Sequence, residues 1–272
     1  MHHLMRKHLL PLLLLSLTFW SCEDDHTDYA ALIQGTWVIA QIDHLPVPTD
    51  SLYVCIYRPD MVELYAKGFA LDGNNSTWME NDQYNYSVHG NIVTLTGTDV
   101  FDNEFLIVLR TEAASATTMT QSVIRFEVNG VDYPDPKVYT YRKVTSDYRD
   151  TFTGTWFGFC TTPGTPDTND YYWTFHEDGT WDFFYPGPDD SWMMDLSGQQ
   201  HYFLYGDLFV CNYTDVDTSD GNDQTYDCWT FQISGDTMIW TSVDAHGVVN
   251  TFRMEKVDHG PSVGFPAPSG TP

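Results

Sequence analysis

The chain of 272 residues carries 12 Lys and Arg against 38 Asp and Glu, which gives a formal charge of −26. Phosphate repels such a polyanion, so the composition argues against a nucleic-acid partner and favours cations or cationic partners. Aromatic residues reach 15%, which favours β-structure, and the length permits one large domain or two of ordinary size.

The N-terminus has the three parts of an export signal. Arg6 and Lys7 precede an apolar run over 9–20, and Cys22 follows shortly after it. The run is about a dozen residues, shorter than the ~20 needed to cross a bilayer. The sequence Thr-Phe-Trp-Ser before Cys22 resembles a lipobox, the cleavage site of bacterial lipoproteins. We therefore expect residues 1–21 to be a signal peptide and Cys22 to carry the lipid that anchors the mature protein in a membrane.

An acidic segment follows the predicted anchor. Glu23, Asp24 and Asp25 come directly after Cys22 and resemble the surface-export tag of Bacteroidota lipoproteins. The alternative is that they are only part of a solvated linker. We take residues 22–31 as a lipidated acidic linker, and the resemblance implies a protein of the outer membrane that faces the cell exterior.

Two copies of one β-unit come next in the chain. The sequence Gly-Thr-Trp at 35–37 recurs at 154–156, and each copy closes on Lys-Val, at 143–144 and 256–257. Further short matches lie between these ends in the same order. A duplication followed by loop insertions would leave such a pattern.

Strand patterns fill both copies. Tyr171, Trp173 and Phe175 alternate with the residues between them, and Asp178 and Gly179 then mark a turn. The sequence carries no apolar stripe of helical period and length. It predicts an all-β fold of two tandem antiparallel meander β-barrels, because closure of a meander removes its exposed strand edges.

The combination of a Gly-Thr-Trp first strand, an Asp-Gly turn and a last strand that ends on Lys-Val resembles the lipocalin-like domains of Bacteroidota lipoproteins. The resemblance covers residues 32–144 and 150–257. It implies that Trp37 and Trp156 plug the closed ends of their barrels. The first copy is less regular over 110–136, which leaves the closure of its barrel open.

The connecting segments are short or polar. Residues 145–150 form a brief polar connector, so we expect the two units to be in contact. The tail over 258–272 is rich in Gly, Pro and Ser and is predicted to be disordered.

Four cysteines remain after Cys22, and they allow three pairings. They are Cys55, Cys160, Cys211 and Cys228. Cys211 and Cys228 flank an acidic loop between two strand-like runs, so a disulfide across that hairpin is the pairing we predict. Buried free thiols are the alternative.

Aromatic residues are concentrated in the second copy. If one face of its strands lines a barrel, these rings could bind an apolar molecule or a sugar, although core packing explains them as well. The residues predicted to contact a ligand are Tyr172, Trp173, Trp181, Phe184 and Trp192.

One acidic loop partly matches a calcium site. Asp215, Asp217, Ser219 and Asp223 offer oxygen ligands at alternate positions, but the glycine and the final glutamate of an EF-hand are missing from their places. A solvated hairpin loop is the other interpretation. Calcium is the single cofactor that the sequence suggests.

No specific catalytic motif is present, so we expect a non-enzymatic binding or accessory protein. Our first hypothesis is a small hydrophobic molecule or a glycan bound in the second barrel. The second is a protein partner docked on the acidic surface, and the third is a hydrolase that uses two carboxylates.

Overall fold

The structure is a computed structural model that describes residues 27–263 except 67, 70–75, 78–81, 99–101, 135, 196–199, 215–223 and 245. Strands make up most of it, as the sequence predicts. The helical elements are α1 (Tyr29–Leu32), α2 (Arg149–Phe152) and two short 3-10 turns, Thr49–Ser51 and Pro188–Asp190.

The first half of the chain forms a closed barrel. Its strands are β1 (Gly35–Ile42), β2 (Leu45–Pro46), β3 (Tyr53–Tyr57), β4 (Met61–Ala66), β5 (Gly68–Phe69), β6 (Ser76–Thr77), β7 (Asp82–His89), β8 (Ile92–Thr98), β9 (Glu104–Ala114), β10 (Thr118–Val128), β11 (Val131–Asp132) and β12 (Val138–Lys143). Eight of them close an antiparallel barrel in the order β1-β3-β4-β7-β8-β9-β10-β12, with β12 paired to β1.

The β9–β10 hairpin completes this barrel in the region over 110–136, where the sequence did not decide whether the barrel closes. Its pairing runs from Met119 opposite Ala114 to Val128 opposite Phe105, and the first half of β10 also pairs with β12. Every strand of the barrel therefore has a neighbour on both sides, and no edge among the eight is exposed.

Side chains fill the barrel interior. Tyr53 of β3 and Tyr141 of β12 meet over β1, the strand between them, and share a hydrogen bond of 2.9 Å between their hydroxyls. Tyr57 packs edge-on against Tyr86, with ring centroids 5.4 Å apart. Together with the fully buried Trp37, these rings make the first barrel a packed core.

The second half forms an open, curled sheet. Its strands are β13 (Gly154–Cys160), β14 (Asp170–Phe175), β15 (Trp181–Pro186), β16 (Trp192–Met194), β17 (Tyr202–Tyr205), β18 (Leu208–Thr214), β19 (Gln224–Ser234), β20 (Thr237–Val243) and β21 (Val249–Val257). They follow the order β16-β15-β14-β13-β21-β20-β19-β18-β17.

The two edges of this sheet meet at one end only. A single bridge joins Thr180 to His201, and the N–H of Tyr202 donates to the carbonyl of Gly179 at 2.8 Å. In the described part of the chain, β16 and β17 do not pair. The second half is thus a curled half-barrel, and the prediction of a closed second barrel is corrected.

Both halves begin with the same local structure around a buried tryptophan. The indole N–H of Trp37 donates to the carbonyl of Ile33 at 2.7 Å, and that of Trp156 donates to the carbonyl of Phe152 at 2.8 Å. Each carbonyl lies at the end of a single helical turn, so each indole fixes a helix against its first strand.

A glycine and a lysine complete this repeated arrangement. Gly35 and Gly154 have φ of +107° and +118°, which favour glycine. The ammonium groups of Lys143 and Lys256 lie 4.9 and 5.2 Å from the ring centroids of the two tryptophans, within the range of cation–π attraction. The matched sequences at 35–37 and 154–156 therefore adopt matched structures.

The two halves are in contact through the outer face of β17–β19. Leu208 and Val210 belong to the buried cluster of the first barrel, and the rings of Tyr205 and Tyr65 lie 6.2 Å apart. The hydroxyl of Thr49 also donates to a carbonyl of β20 at 2.9 Å.

Candidate functional site

A cavity of about 600 Å³ opens on the concave face of the second sheet. This volume is in the range of small-molecule sites. Aromatic side chains form most of the wall. The lining residues are Asp167, Asn169, Tyr171, Trp173, Trp181, Phe183, Tyr185, Pro186, Asp195, Cys211, Asp227, Trp229, Trp240 and Phe252.

Strand alternation decides which rings enter the cavity. Trp173 pairs with Trp156 on one side and with Phe183 on the other, so the three side chains point to the same concave face. Tyr171 and Phe183 then stack at 5.3 Å between centroids. The wall is therefore a continuous aromatic layer over β13–β15.

Phe152 closes the lower end of the cavity. This residue of α2 is fully buried, and its ring lies 4.6 Å from that of Phe175, 5.0 Å from that of Phe209 and 4.9 Å from that of Phe231. The bridge between Thr180 and His201 lies at the same end, so this end of the sheet is closed by both features.

Three carboxylates lie in the wall of the cavity. Asp167 precedes β14, Asp195 follows β16, and Asp227 lies on β19. The hydroxyl of Tyr171 donates to Asp167 at 3.1 Å, and the amide of Gln200 donates to Asp195 at 2.8 Å. Lys, Arg and His are absent from the described lining.

The carboxylates affect two neighbouring groups in the cavity wall. Burial raises the pKa of the Tyr171 hydroxyl, and the charge of Asp167 adds to the rise. Burial also raises the pKa of the Cys211 thiol well above its ordinary value, with a further contribution from Asp227. Both groups therefore stay neutral, mainly because burial disfavours their charged forms.

Two indole N–H groups of the wall are left without an acceptor. Trp181 and Trp240 are each more than nine-tenths buried, and no acceptor among the described residues bonds to their Nε1 atoms. An unsatisfied buried donor costs about 1–3 kcal/mol. A bound molecule or an ordered water that accepted from them would stabilise this wall.

The predicted ligand residues divide between the two faces of the sheet. Trp173 and Trp181 line the cavity. Tyr172, Phe184 and Trp192 face the other way, because register places Tyr172 opposite Phe184, and Tyr172 and Trp192 pack at 4.8 Å on the convex side. The assignment of these three residues to the binding cavity is wrong.

The C-terminal segment covers part of the convex face. A Cβ placed on Gly260 would lie 3.6 Å from the Phe184 ring, so residues near 260 pack on this side. Residues 258–263 belong to the described chain, and the rest of the segment predicted to be disordered lies outside the described residues.

Most of the cavity wall was not predicted from the sequence, since only Trp173 and Trp181 were among the predicted ligand residues. Trp229, Trp240 and Phe252 come from β19–β21, and Asp227 from the same region. Their alternation with outward residues is visible in the sequence, for example Asp227, Trp229 and Phe231. The signal was present, although it does not show that these strands curl toward β14 and β15.

The structure corrects the predicted disulfide. In the pairing of β18 with β19, Cys211 lies opposite Asp227, and Cys228 lies opposite Val210. The two cysteines are therefore offset by one residue and are not paired with each other. Their side chains therefore point to opposite faces of the sheet, Cys211 toward the cavity and Cys228 toward the first barrel. The structure contains no bond between them.

Two predicted sites cannot be placed. Cys22 and the proposed calcium ligands Asp215, Asp217, Ser219 and Asp223 lie outside the described residues. Within the described ranges, no three or more His, Cys, Asp and Glu side chains are grouped so that they could hold a metal ion. Across the same ranges, no helix is both long and apolar enough to span a membrane.

Comparison with known proteins supplies no family for this chain. No family model matches it, and no curated protein matches it significantly in sequence.

Proposed function

We propose that this chain is a lipid-anchored lipoprotein of the outer cell surface whose second half binds a small, mainly apolar molecule. The proposal rests chiefly on one observation, the aromatic cavity of about 600 Å³ that is plugged at one end and open at the other. Binding without catalysis accounts for this geometry.

The first barrel has a supporting role in this proposal. Its interior is filled by side chains such as Trp37 and Tyr141, which leaves little room for a ligand. Its outer face packs against β17–β19, the strands that form the far wall of the cavity. A rigid barrel behind a curled sheet helps to hold the open shape.

The likeness to lipocalin-like domains of Bacteroidota lipoproteins belongs to the same proposal. Three features support it: the repeated start around Trp37 and Trp156, the lysines against these rings, and the sequential up-and-down order of the barrel strands. The export signal and the acidic residues after Cys22 support the surface location.

The binding proposal can be tested with N-phenyl-1-naphthylamine, an uncharged probe that fluoresces in apolar surroundings. We expect it to bind the full chain. Phe183→Ala removes one cavity ring and should weaken binding about tenfold, the value of one aromatic contact of about 1–1.5 kcal/mol. Tyr172→Ala, on the convex face of the paired strand, is the matched control and should change the Kd less than about twofold.

Either of two results would contradict the proposal: no binding of the probe to the native chain, or equal losses in both variants. The anchor is tested separately by labelling cells with an alkyne fatty acid. The label should appear on the native protein and be absent from the Cys22→Ala variant. Label retained by the variant would contradict the lipidation proposal.

The docking and hydrolase hypotheses remain predictions. A half-buried aromatic cluster of Phe157, Tyr172 and Trp192 lies on the convex face, but nothing in the described chain indicates what would cover it. A carboxylate pair for hydrolysis would need a defined separation across the cavity, and the binding proposal does not depend on one.

A further inference from the structure

The cavity changes in polarity from its closed end to its mouth. Its depth is walled by rings such as Trp173, Trp240 and Phe252, which offer apolar surface. Asp167 and Asp227 lie at the open end, where β14 begins and where β19 leaves the acidic loop. A ligand that matches this gradient has an apolar body and a charged outer end.

We propose that the molecule bound in this cavity is an organic cation, an apolar or aromatic amine whose ammonium group lies among Asp167, Asp195 and Asp227. This inference rests on the proposed binding function and specifies its ligand class. It identifies the three carboxylates as the residues that select for charge, while the rings supply most of the contact area.

The positions of the three carboxylates favour an organic cation over a metal ion as the ligand. Each comes from a different segment, before β14, after β16 and within β19, so the three occupy separate parts of the cavity wall. No group of three such side chains in the described ranges is close enough to hold a metal ion. A bulky ammonium needs no tight coordination shell, because its charge is spread over a larger volume.

The rings near the mouth fit the same ligand. Tyr171 and Tyr185 line the cavity beside Asp167 and Asp195, and Trp229 does so beside Asp227. The negative face of an aromatic ring attracts a cation, with indole the strongest, and cages of several rings recognise alkylated ammonium groups. Carboxylates and ring faces therefore act together on one charge.

An anionic ligand is disfavoured by the same residues. The described lining contains three carboxylates and no basic side chain, and the whole chain carries a formal charge of −26. A fatty acid or a phosphate would enter a negative potential without a counter-charge. Burial is the main cause of the raised pKa values of Tyr171 and Cys211, and the charges of Asp167 and Asp227 add to the rise.

A neutral glycan fits less well. Sugar hydroxyls must exchange water for other hydrogen-bonding groups on binding. Rings make up most of the described wall, so most sugar hydroxyls would meet ring faces, and the indole N–H groups of Trp181 and Trp240 are donors, which could serve only some of them. We keep the glycan as an outcome of the test.

The test compares three naphthalene derivatives that differ only in headgroup: a trimethylammonium cation, a neutral methyl ether and a carboxylate. Calorimetry on the full chain should show the cation binding at least about tenfold more tightly than the ether, and the carboxylate more weakly than either. Raising the ionic strength should reduce the preference, because salt screens the mouth carboxylates.

Charge-removing variants locate the effect. We expect a roughly three- to tenfold lower affinity for the cation, and a change of less than about twofold in the affinity for the ether, in each of the variants Asp167→Asn, Asp195→Asn and Asp227→Asn. Asp236→Asn is the matched control, since Asp236 is exposed in the β19–β20 turn at the closed end of the sheet. This variant removes the same charge and should leave the affinity for the cation unchanged.

The possible results separate the two proposals. If the ether binds as tightly as the cation, or if Asp236→Asn matches the mouth variants, the cation inference is wrong and the binding proposal stands. If maltose binds more tightly than all three probes, the ligand is a glycan and the cation inference is again wrong. If no compound binds, the proposed function fails as well.

Discussion

The two halves of this molecule start alike and end differently. Both begin with a helical turn, a glycine of positive φ and a buried tryptophan under a lysine. The first half closes because the long β9–β10 hairpin brings β10 against β12. Among the described residues of the second half no hairpin closes the sheet in this way, since β16 has only three residues and β17 only four.

This difference separates structural from binding roles. In the closed barrel, rings from the strands on either side of β1 meet, as Tyr53 and Tyr141 do, and help to fill the interior. In the curled sheet the walls stay apart near the mouth, and the same kinds of side chain line an empty space. Aromatic content alone therefore does not distinguish a core from a cavity, whereas the pairing of the edge strands does.

The largest expected effect comes from the two tryptophans. Trp37→Ala and Trp156→Ala each delete a fully buried indole and its hydrogen bond, so each should lower the free energy of unfolding by about 3–5 kcal/mol. Urea denaturation followed by circular dichroism measures this loss. The separate roles of the two halves predict a difference in probe binding. Trp156→Ala should also lower the affinity for N-phenyl-1-naphthylamine. Trp37→Ala should leave that affinity unchanged under conditions in which the chain is folded.

A loss of probe affinity in folded Trp37→Ala would contradict the separation of roles. Trp37→Phe and Trp156→Phe are the controls, because they keep most of the buried volume and remove the N–H donor. We expect them to lose less stability than the alanine variants.

The second prediction concerns alkaline pH, which should affect the first barrel more. Burial is the main cause of the raised pKa of Cys55, Tyr57 and Tyr141, whose ordinary values are 9.0, 10.0 and 10.0. The folded state holds these protons when the unfolded chain has already released them. Their stabilising contribution is thus complete below pH 9 and is lost as the pH rises from there.

Each such group should lower the free energy of unfolding by about 1.4 kcal/mol per pH unit above its ordinary pKa. Tyr57→Phe removes one of them, so the variant should lose less stability than the native chain between pH 10 and 11. Parallel pH profiles for the two proteins would contradict the prediction. Tyr185→Phe, in the cavity wall, is the control and should leave the profile unchanged.

The sequence was sufficient for the parts of the fold that depend on local pattern. The Gly-Thr-Trp repeats and the period of two correctly indicate an all-β chain, and Trp173 and Trp181 do lie in the cavity. Strand alternation would also have excluded Tyr172 from the set that contains Trp173, since neighbours on a strand face opposite ways.

Other features depend on information that a local pattern does not hold. The pairing of Cys211 with Cys228 failed because the register across the 215–223 loop is shifted by one residue, which reverses a side chain. Asp195 and Asp227 could not be picked out from 38 acidic residues. Only the curvature of the sheet brings them to one mouth, and curvature follows from which strands pair.

The smallest expected effect is at the junction of the two halves, where a polar and an apolar contact can be compared. Arg142 forms an ion pair with Asp207, and their side chains are 31% and 43% exposed. Solvent screens such a pair, so Asp207→Asn should lower the free energy of unfolding by less than about 1 kcal/mol. Leu208, next in the chain, is fully buried against the first barrel, and Leu208→Ala should cost about 2–5 kcal/mol. Urea denaturation of both variants measures the ratio. If Asp207→Asn were the more damaging, charge rather than apolar burial would hold the curled sheet against the barrel, and the cavity would lose its shape at high salt.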